Sequence, residues 1–567
     1  MVTSQEPYGR PKLGVWEWAG PLVAAAVVAA YGLSLRRYGL ELADEGVLLA
    51  HFNRVAHGQV PYRDFHVGYG PGLYWLQAAA FALWGGSIGT VRVGLALVQG
   101  ARAAGLAWLA ASLGGRGAAA VAVLALVAFF LPVAPGQCVP ANIPYPAWYA
   151  DALGLGALVL MVRSPRSSAL VGSLWGVVFA FKQNTGVLGL AAAIVTTILV
   201  APRAERAGRG VPVLTALAII VGALALLREH LHPTLAAVFV GPLIPLAFAV
   251  ARARVGRSTI RDLMAIAGGF LVVAGSAVAV MVLRAGAAAV ASGFLQIGTD
   301  TIRIYHAAYP TLDGVLASLR EVTPMRAVRL LVEGGWFVVF PVTHLVAATL
   351  VCTGRIRTRC GVAVVVAAAV GYLQLYPRMD YWHLLPLAPA SLATLVLLGA
   401  SVGGGWTTVA LGVTAVVCVA RMAPTVPIVL ASLTAPHPAP RIPRLDLAWD
   451  LLTDERLVRI PDVVEAVRDR RRVAGFPALG IVNFALDSPS PWRHDYFFPG
   501  RPDALEEEAL AAALARDPPE AVIVLDETSG PFGIAFTAHR RVLTAIESGL
   551  VEQRRIGPYR ILVPRTP

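Results

Sequence analysis

Residues 211–228 read VPVLTALAIIVGALALLR, an apolar run without charge that ends at Arg228. A run of about 20 such residues is what an α-helix needs to cross the hydrocarbon core of a bilayer. Runs of this kind recur along the chain, which is 57% hydrophobic and only 14% charged, whereas soluble domains carry about 25% charged residues. The sequence therefore predicts an all-α polytopic membrane protein.

Thirteen membrane-spanning helices are predicted from the apolar runs. They lie at 14–35, 88–112, 117–135, 148–162, 168–181, 184–201, 211–228, 233–251, 262–284, 327–351, 360–376, 384–400 and 404–422. The segment 71–86 is apolar but short, so we predict a helix that lies in the membrane interface there. These spans form a predicted membrane domain over residues 1–423.

The C-terminal part has a different composition. A proline-rich linker is predicted over 424–445, followed by a small α/β domain over 446–567, because short helical and strand-like patterns alternate there. Helices are predicted at 463–471, 505–516 and 538–548, and strands at 478–486, 521–525 and 559–563.

The basic residues predict how the chain crosses the membrane. The net charge is +13, and Lys12 and Lys182 are the only lysines. Arginines cluster in alternate loops, and such loops face the cytoplasm. The polar loops and the C-terminal domain are then expected outside the cytoplasm. The arginines are scattered rather than gathered on one face, which argues against a nucleic-acid partner.

Asp44 and Glu45 follow the first predicted span directly. Two adjacent carboxylates at a membrane boundary are costly unless water or a substrate meets them. A carboxylate can take the proton of an attacking hydroxyl, so Asp44 and Glu45 are the candidate catalytic residues. The alternative is a solvated pair that caps the helix starting near Gly46, where negative charge is favourable.

The rest of the first loop supplies further candidates. Arg63 and Asp64 are candidate substrate-pocket residues, or else a local pair that fixes a turn. His66 and Tyr69 are candidates to contact a phosphate or a sugar. No cofactor is predicted; a divalent metal bound by His57, Asp64 and His66 stays open, since no ligand spacing enforces it.

Three later loops carry the remaining candidates. Lys182 is a point charge suited to a phosphate, or an interfacial lysine whose amine reaches water. Arg378 and His383 are candidates for an anionic lipid headgroup, with a local ion pair as the alternative for Arg378. Tyr145 and Asp151 are candidate pocket residues, although Asp151 is equally explained as a charge near a helix N-terminus.

The sequence resembles the superfamily of protein mannosyltransferases and aminoarabinose transferases, which have the GT-C fold, in its bacterial family-39-like branch. The resemblance covers the first ~190 residues best, then 376–389. The residues that carry it are Asp44-Glu45, Gly58-Gln59-Val60-Pro61-Tyr62-Arg63-Asp64-Phe65, Tyr69-Gly70-Pro71, Tyr74-Trp75, Gly85, Arg92, Lys182-Gln183-Asn184 and the segment from Arg378 to Pro386.

The resemblance implies an inverting glycosyltransferase in a bacterial plasma membrane. Its donor would be a polyprenyl-phosphate-linked sugar, its acceptor a glycan, lipid or protein outside the cytoplasm, and Asp44 its acidic residue. The lysine that holds the donor phosphate in aminoarabinose transferases is missing from Val67-Gly68-Tyr69-Gly70-Pro71. Lys182, Arg378 or His66 would have to replace it. The rival hypotheses are a lipid or glycolipid transporter and a non-catalytic scaffold of the cell envelope.

Overall fold

The structure is a computed structural model of the full chain. It describes residues 16–131, 138–164, 166–202, 208–296, 306–310, 324–402, 405–434, 440–527 and 530–565. Helices dominate the described part, and four strands form one small sheet near the C-terminus. The prediction of a mostly helical chain with a small C-terminal α/β part is therefore confirmed, whereas the domain bounds 1–423, 424–445 and 446–567 stay a prediction.

Long apolar helices build the membrane domain. Their bounds are Trp16–Ser34, Ile88–Ala125, Pro146–Arg163, Ser168–Phe181, Gln183–Leu199, Gly210–Leu227, Leu243–Arg252, Arg257–Ala285, Pro324–Cys352, Arg359–Gly371, Ala388–Val402 and Gly405–Met422. Short helical segments extend several of them, at Leu126–Phe130, Pro140–Asn142, Arg228–His230, Pro233–Leu235, Ala236–Val240, Ala287–Ala289, Val290–Phe294, Tyr372–Leu375, Tyr381–Leu384, Leu385–Leu387 and Ala423–Thr425.

Each of the thirteen predicted spans overlaps a helix, but the number of spans is not settled by length and composition. Within the described ranges, seven helices are long and apolar enough to cross a membrane, or eight if the bent pair Pro233–Val240 and Leu243–Arg252 counts as one span. One of the seven, Ile88–Phe130, contains Gly115 with φ 82° and ψ −179°, which no helix accommodates. A glycine tolerates this conformation, so the residue divides the helix where two spans were predicted. The count of thirteen stays a prediction.

Two shorter helices follow the first span. Asp44–Ala56 begins at the predicted catalytic pair, and Pro71–Trp84 coincides with the predicted interfacial helix. Pro71 occupies the first turn of its helix, where a missing N–H costs nothing. Leu83 and Trp84 are 71% and 74% exposed, so this helix ends in an uncovered apolar tip.

The predicted linker begins as a helix. Val426–Thr434 continues the direction of the preceding helix after a short 3₁₀ turn, and the chain is irregular from 440 to 448. The C-terminal domain then contains Trp449–Leu451, Glu455–Val458, Ile460–Ala466, Gly480–Ala485, Ala504–Arg516, Gly530–Ala538 and Arg540–Gly549 as helices. Its strands are β1 (Val473–Phe476), β2 (Ala521–Leu525), β3 (Leu550–Ile556) and β4 (Tyr559–Pro564).

The sheet has the order β1-β2-β4-β3, with β1 parallel to β2 and the other pairs antiparallel. Side chains alternate between its two faces. Val473, Ile523 and Ile561 belong to the large core shared with the membrane domain. Ala474 and Val522 face a smaller second core. One face of the sheet is thus continuous with the interior of the membrane domain.

The strand predicted at 478–486 is wrong. Residues Gly480–Ala485 form a helix, and the strand lies just before it at Val473–Phe476. The segment from Gly480 to Phe484 is buried on all sides, and a short, fully buried apolar run shows no periodicity that separates a strand from a helix.

The Gly480–Ala485 helix packs directly on the Asp44–Ala56 helix. A methyl group added at Gly480 would lie 2.9 Å from the Ala50 side chain and 3.0 Å from the Gly46 carbonyl oxygen. A methyl group at Gly46 would lie 3.1 Å from the Ile481 side chain. These two glycines allow the C-terminal domain to lie against the helix that begins at Asp44.

Candidate active site

Asp44 stands at the first turn of its helix with its side chain partly exposed. The Tyr145 hydroxyl donates a hydrogen bond of 2.5 Å to the Asp44 Oδ2. Tyr145 directly precedes Pro146, where the next long helix begins. Burial raises the pKa of Asp44, while the hydrogen bond from Tyr145 and the charges of Arg378 and His383 oppose the rise.

The Arg378–His383 segment forms a small charged network near Asp44. Arg378 Nε donates to Asp380 Oδ2 at 2.8 Å, and His383 Nδ1 lies 2.7 Å from Asp380 Oδ1. Although burial raises the pKa of Asp380, hydrogen bonding to His383 and Arg378 lowers it to about 2. The side chains of Arg378 and His383 stay 47% and 40% exposed. Two basic side chains that bind Asp380 are therefore partly exposed on the side of the Asp44 carboxylate.

Glu45 does not face the open side of Asp44. Its two carboxylate oxygens accept from Arg92 Nε and Nη2, both at 2.8 Å, and both side chains are 1% exposed. Arg92 also donates to the carbonyl oxygens of Arg36 and Gly39 at 2.8 Å. Consecutive helical residues point about 100° apart, so adjacency in sequence separates Glu45 from Asp44. The structure places Glu45 in a buried ion pair with Arg92, and its catalytic role stays a prediction.

Glu41 is a carboxylate near Asp44 that sequence reasoning missed. Its side chain accepts from the backbone N–H groups of Ala43, Asp44 and Glu45, which begin the helix. Burial and the nearby Asp44 raise the pKa of Glu41 to about 8. The signal was available in the sequence, because an acidic residue three positions before a helix start is suited to its free N–H groups.

Lys182 and Asp151 form a second polar group. Asp151 Oδ2 accepts from Arg102 Nε at 2.6 Å, and Arg102 is fully buried. Burial lowers the pKa of Lys182 to about 8, against the opposing charge of Asp151. A cavity of about 60 Å³ begins at Asp151, with Thr185 and Gln374 as its other polar side chains and apolar groups over most of its wall.

Tyr69 connects the two polar groups. The Gly70 N–H donates to the Phe181 carbonyl at 3.2 Å, which places Tyr69 beside the turn that contains Lys182. A methyl group at Gly70 would lie 2.1 Å from the Ala180 carbonyl oxygen, so only glycine fits this approach. Burial raises the pKa of Tyr69, and the charge of nearby Asp44 raises it further. The loops of Asp44, Tyr145, Lys182 and Arg378 thus meet at one end of the helices.

Comparisons with known proteins leave the family open. No family model matches the sequence, and no curated protein matches it. The chain is similar to two crystal structures of ArnT from Cupriavidus metallidurans, one bound to undecaprenyl phosphate and one in the apo state. The first has a TM-score of 0.34 and 15% identity, covering 97% of this chain and 98% of that one. The second has a TM-score of 0.35 and 14% identity, covering 96% and 97%. At TM-scores this low, the likeness establishes no activity for this chain.

Three predicted residues lie away from Asp44. Arg63 pairs with its neighbour Asp64 through Nε–Oδ1 at 2.8 Å, and Asp64 also accepts from the Val60 N–H at 2.7 Å, which fixes the turn. The ring of His66 stacks on His494 of the C-terminal domain, with centroids 5.2 Å apart. Burial lowers the pKa of His66 to about 3, and so do the nearby charges of His494 and Arg501. His66 is therefore neutral near pH 7.

The C-terminal domain contributes Tyr496 to the Asp44 side. Tyr496 packs against the large core, and its ring meets Phe498 edge-on at 5.3 Å. Burial raises the pKa of Tyr496, and so do the charges of Asp44 and Glu41. Its sequence signal was the aromatic and charged cluster at 492–496. In the described ranges, no three His, Cys, Asp or Glu side chains come together in a way that would hold a metal.

Proposed function

We propose that this protein is an integral membrane glycosyltransferase of GT-C type. It transfers a sugar from a polyprenyl-phosphate donor in the outer leaflet of a bacterial plasma membrane to an acceptor outside the cytoplasm. The observation that carries the proposal is the Asp44 carboxylate, which accepts from Tyr145 and lies beside the partly exposed Arg378 and His383.

The transfer has two requirements: a base for the acceptor hydroxyl and positive charge for the leaving phosphate. The acceptor hydroxyl attacks the anomeric carbon as the bond from that carbon to the phosphate oxygen breaks. Asp44 takes the hydroxyl proton, and the leaving polyprenyl phosphate takes the electron pair. A positioned general base contributes about 10²–10⁴-fold to rate, and Tyr145 orients the carboxylate that provides it.

The leaving phosphate needs positive charge nearby, and three basic side chains lie near the site. Arg378 and His383 lie on the Asp44 side, and Lys182 lies across Tyr69 from them. Preorganised cations stabilise the charge that develops on a leaving phosphate. The cavity that begins at Asp151, next to Lys182, offers an apolar wall to the first part of the prenyl chain.

The test is transfer by the full-length protein in lipid nanodiscs supplied with a panel of labelled polyprenyl-phosphate monosaccharides and an envelope lipid extract. Asp44→Asn is expected to reduce release of polyprenyl phosphate by at least 10²-fold. Asp262→Asn is the matched control, because Asp262 is a partly exposed carboxylate on the Arg257–Ala285 helix. Undiminished turnover by Asp44→Asn would refute the proposal. Donor crossing into vesicles without any glycosidic product would favour a transporter.

A further inference from the structure

A small polar cavity lies at the seam between the first loop and the C-terminal domain. Its volume is about 30 Å³. Its lining comes from three parts of the chain. These are Tyr62 and His66 of the first loop, Ser292 of the helical segment Val290–Phe294, and Arg493, Arg501 and Glu506 of the C-terminal domain. We call this cavity the seam pocket; neither the Asp44 group nor the Lys182 group lines it.

The seam pocket carries an excess of positive charge. Arg493 Nη2 donates a hydrogen bond to the Tyr62 carbonyl oxygen at 2.9 Å. The Arg501 guanidinium has no hydrogen-bond or ion-pair partner within the described ranges. One oxygen of Glu506, Oε2, accepts from the Asp503 N–H at 3.1 Å and lies 3.5 Å from His494 Nε2. Two arginines therefore line a space that has one carboxylate in its wall.

The size of the seam pocket limits what can enter. The space open to water-sized atoms is about 30 Å³, which admits a small group and not a whole sugar. A carboxylate or a phosphate presents two oxygen atoms to a guanidinium in a bidentate contact.

The seam pocket is connected to the candidate active site by two neighbouring segments. The His66 N–H donates to the Arg493 carbonyl at 2.9 Å, so the segments 66–69 and 493–496 start together at the pocket. Three residues on, each reaches a tyrosine of the Asp44 side, Tyr69 and Tyr496. Three residues span at most about 10 Å, so neither tyrosine is farther than that along the chain from the residue that starts its segment at the pocket.

We infer that the seam pocket binds an anionic substituent, a phosphate or a carboxylate, of the acceptor. Bound there through Arg501 and Arg493, the acceptor presents a nearby hydroxyl to Asp44. This inference rests on the proposed function and names its acceptor class: a glycan or lipid that carries a negative charge close to the modified hydroxyl.

Binding is measured on the full-length protein in nanodiscs of zwitterionic lipid, by thermal unfolding titrated with inorganic phosphate and, separately, glucuronate, against sodium chloride at equal ionic strength. Arg378→Gln is the background throughout, which removes one of the three donor-side basic groups from competition for the probe. Adding Arg501→Gln is expected to raise the Kd of the better probe about tenfold, as for a lost hydrogen bond to a charged group. Adding Arg516→Gln, at an arginine near the end of the Ala504–Arg516 helix, is expected to leave it unchanged.

The two probes distinguish the two kinds of anionic group. If the acceptor carries a phosphate, inorganic phosphate should bind more tightly than glucuronate. If the acceptor carries a uronate, glucuronate should bind more tightly. Equal Kd values for the Arg501→Gln and Arg516→Gln proteins, or no saturable binding of either probe, would overturn the inference. Arg501→Lys keeps a cation and is expected to bind more tightly than Arg501→Gln if folding is affected by neither. Because these titrations involve no turnover, they are independent of the Asp44→Asn result that tests the proposed function.

Discussion

Arg54 and Asp495 form a buried bidentate ion pair between the Asp44–Ala56 helix and the C-terminal domain. Arg54 Nε lies 2.7 Å from Oδ2 and Nη2 lies 2.9 Å from Oδ1, and the two side chains are 2% and 1% exposed. His51 Nε2 lies 3.3 Å from the same carboxylate. Residues separated by most of the chain thus fix the position of the helix that begins at Asp44.

Asp495→Ala is expected to destabilise the protein by about 3–5 kcal/mol, because it leaves Arg54 charged, buried and unpaired. The measurement is thermal unfolding in nanodiscs. Glu465→Ala provides the control, since Glu465 pairs with Arg468 at the surface with side chains 70% and 69% exposed, and such pairs contribute little. Equal unfolding temperatures for the two variants would contradict the expectation.

The same pair predicts how stability depends on pH. Although burial raises the pKa of Asp495, Arg54 and His51 lower it to about 2. A carboxyl with a depressed pKa stabilises the fold above its unfolded pKa of about 3.9, and this contribution is lost as the pH falls towards 2. We expect the wild-type advantage over Asp495→Asn to be full at pH 6 and to shrink below pH 4, as measured by chemical denaturation.

Tyr145→Phe is expected to shift the pH dependence of turnover. The Tyr145 hydrogen bond favours ionised Asp44, so its loss raises the pKa of the base and moves the acidic limb of the rate profile to higher pH. A hydrogen bond to a charged group contributes about 1.5–3 kcal/mol. Tyr38→Phe is the control, because the Tyr38 side chain is buried in the shared core. An unshifted profile in Tyr145→Phe would remove Tyr145 from the site.

Gly70→Ala is expected to abolish turnover, since the new methyl group would lie 2.1 Å from the Ala180 carbonyl oxygen and would separate Tyr69 from the Lys182 turn. Gly94→Ala makes the same chemical change in a helix with nothing within 4 Å. The Gly94→Ala protein should retain activity. Its free energy of unfolding should rise by up to about 1 kcal/mol, because alanine favours the helix more than glycine does. Full activity in the Gly70→Ala protein would show that the close contact between Gly70 and the Ala180 carbonyl oxygen is not required for turnover.

Glu45→Ala is expected to lower stability, whereas Asp44→Asn is expected to lower turnover. Removing Glu45 leaves the buried Arg92 without its carboxylate and should cost about 3–5 kcal/mol of stability. Asp44→Asn should leave the unfolding temperature nearly unchanged while reducing transfer by at least 10²-fold. The measurement is turnover per folded molecule beside thermal unfolding. If Glu45→Ala unfolds normally but loses turnover, Glu45 belongs to the catalytic machinery after all.

The meeting of the loops at one end of the helices was predictable from hydropathy and arginine placement. Asp44, Tyr145 and Arg378 occur in loops that alternate topology puts on the same side, and the structure brings them together. Lys182 and Asp151 were predicted in the same way and form a neighbouring group.

What the sequence could not supply was the direction of each side chain. Glu45 was paired with Asp44 because they are adjacent, but a helix starting at Asp44 turns them apart. His66 was placed with the donor phosphate because it lies in the first loop, whereas a long-range contact with His494 holds it at the seam. Strand β1 is only four residues long, which is too short for an alternation of apolar and polar residues to identify it as a strand.

The close approach of Gly46 and Gly480 makes the two halves of the chain unsuitable as interchangeable modules. A C-terminal domain grafted from another protein would need a residue without a side chain where it meets the Asp44–Ala56 helix. A polypeptide truncated to the membrane portion would lose one wall of the helix on which turnover is proposed to depend. Engineering of acceptor preference is therefore best attempted by point changes within the intact chain.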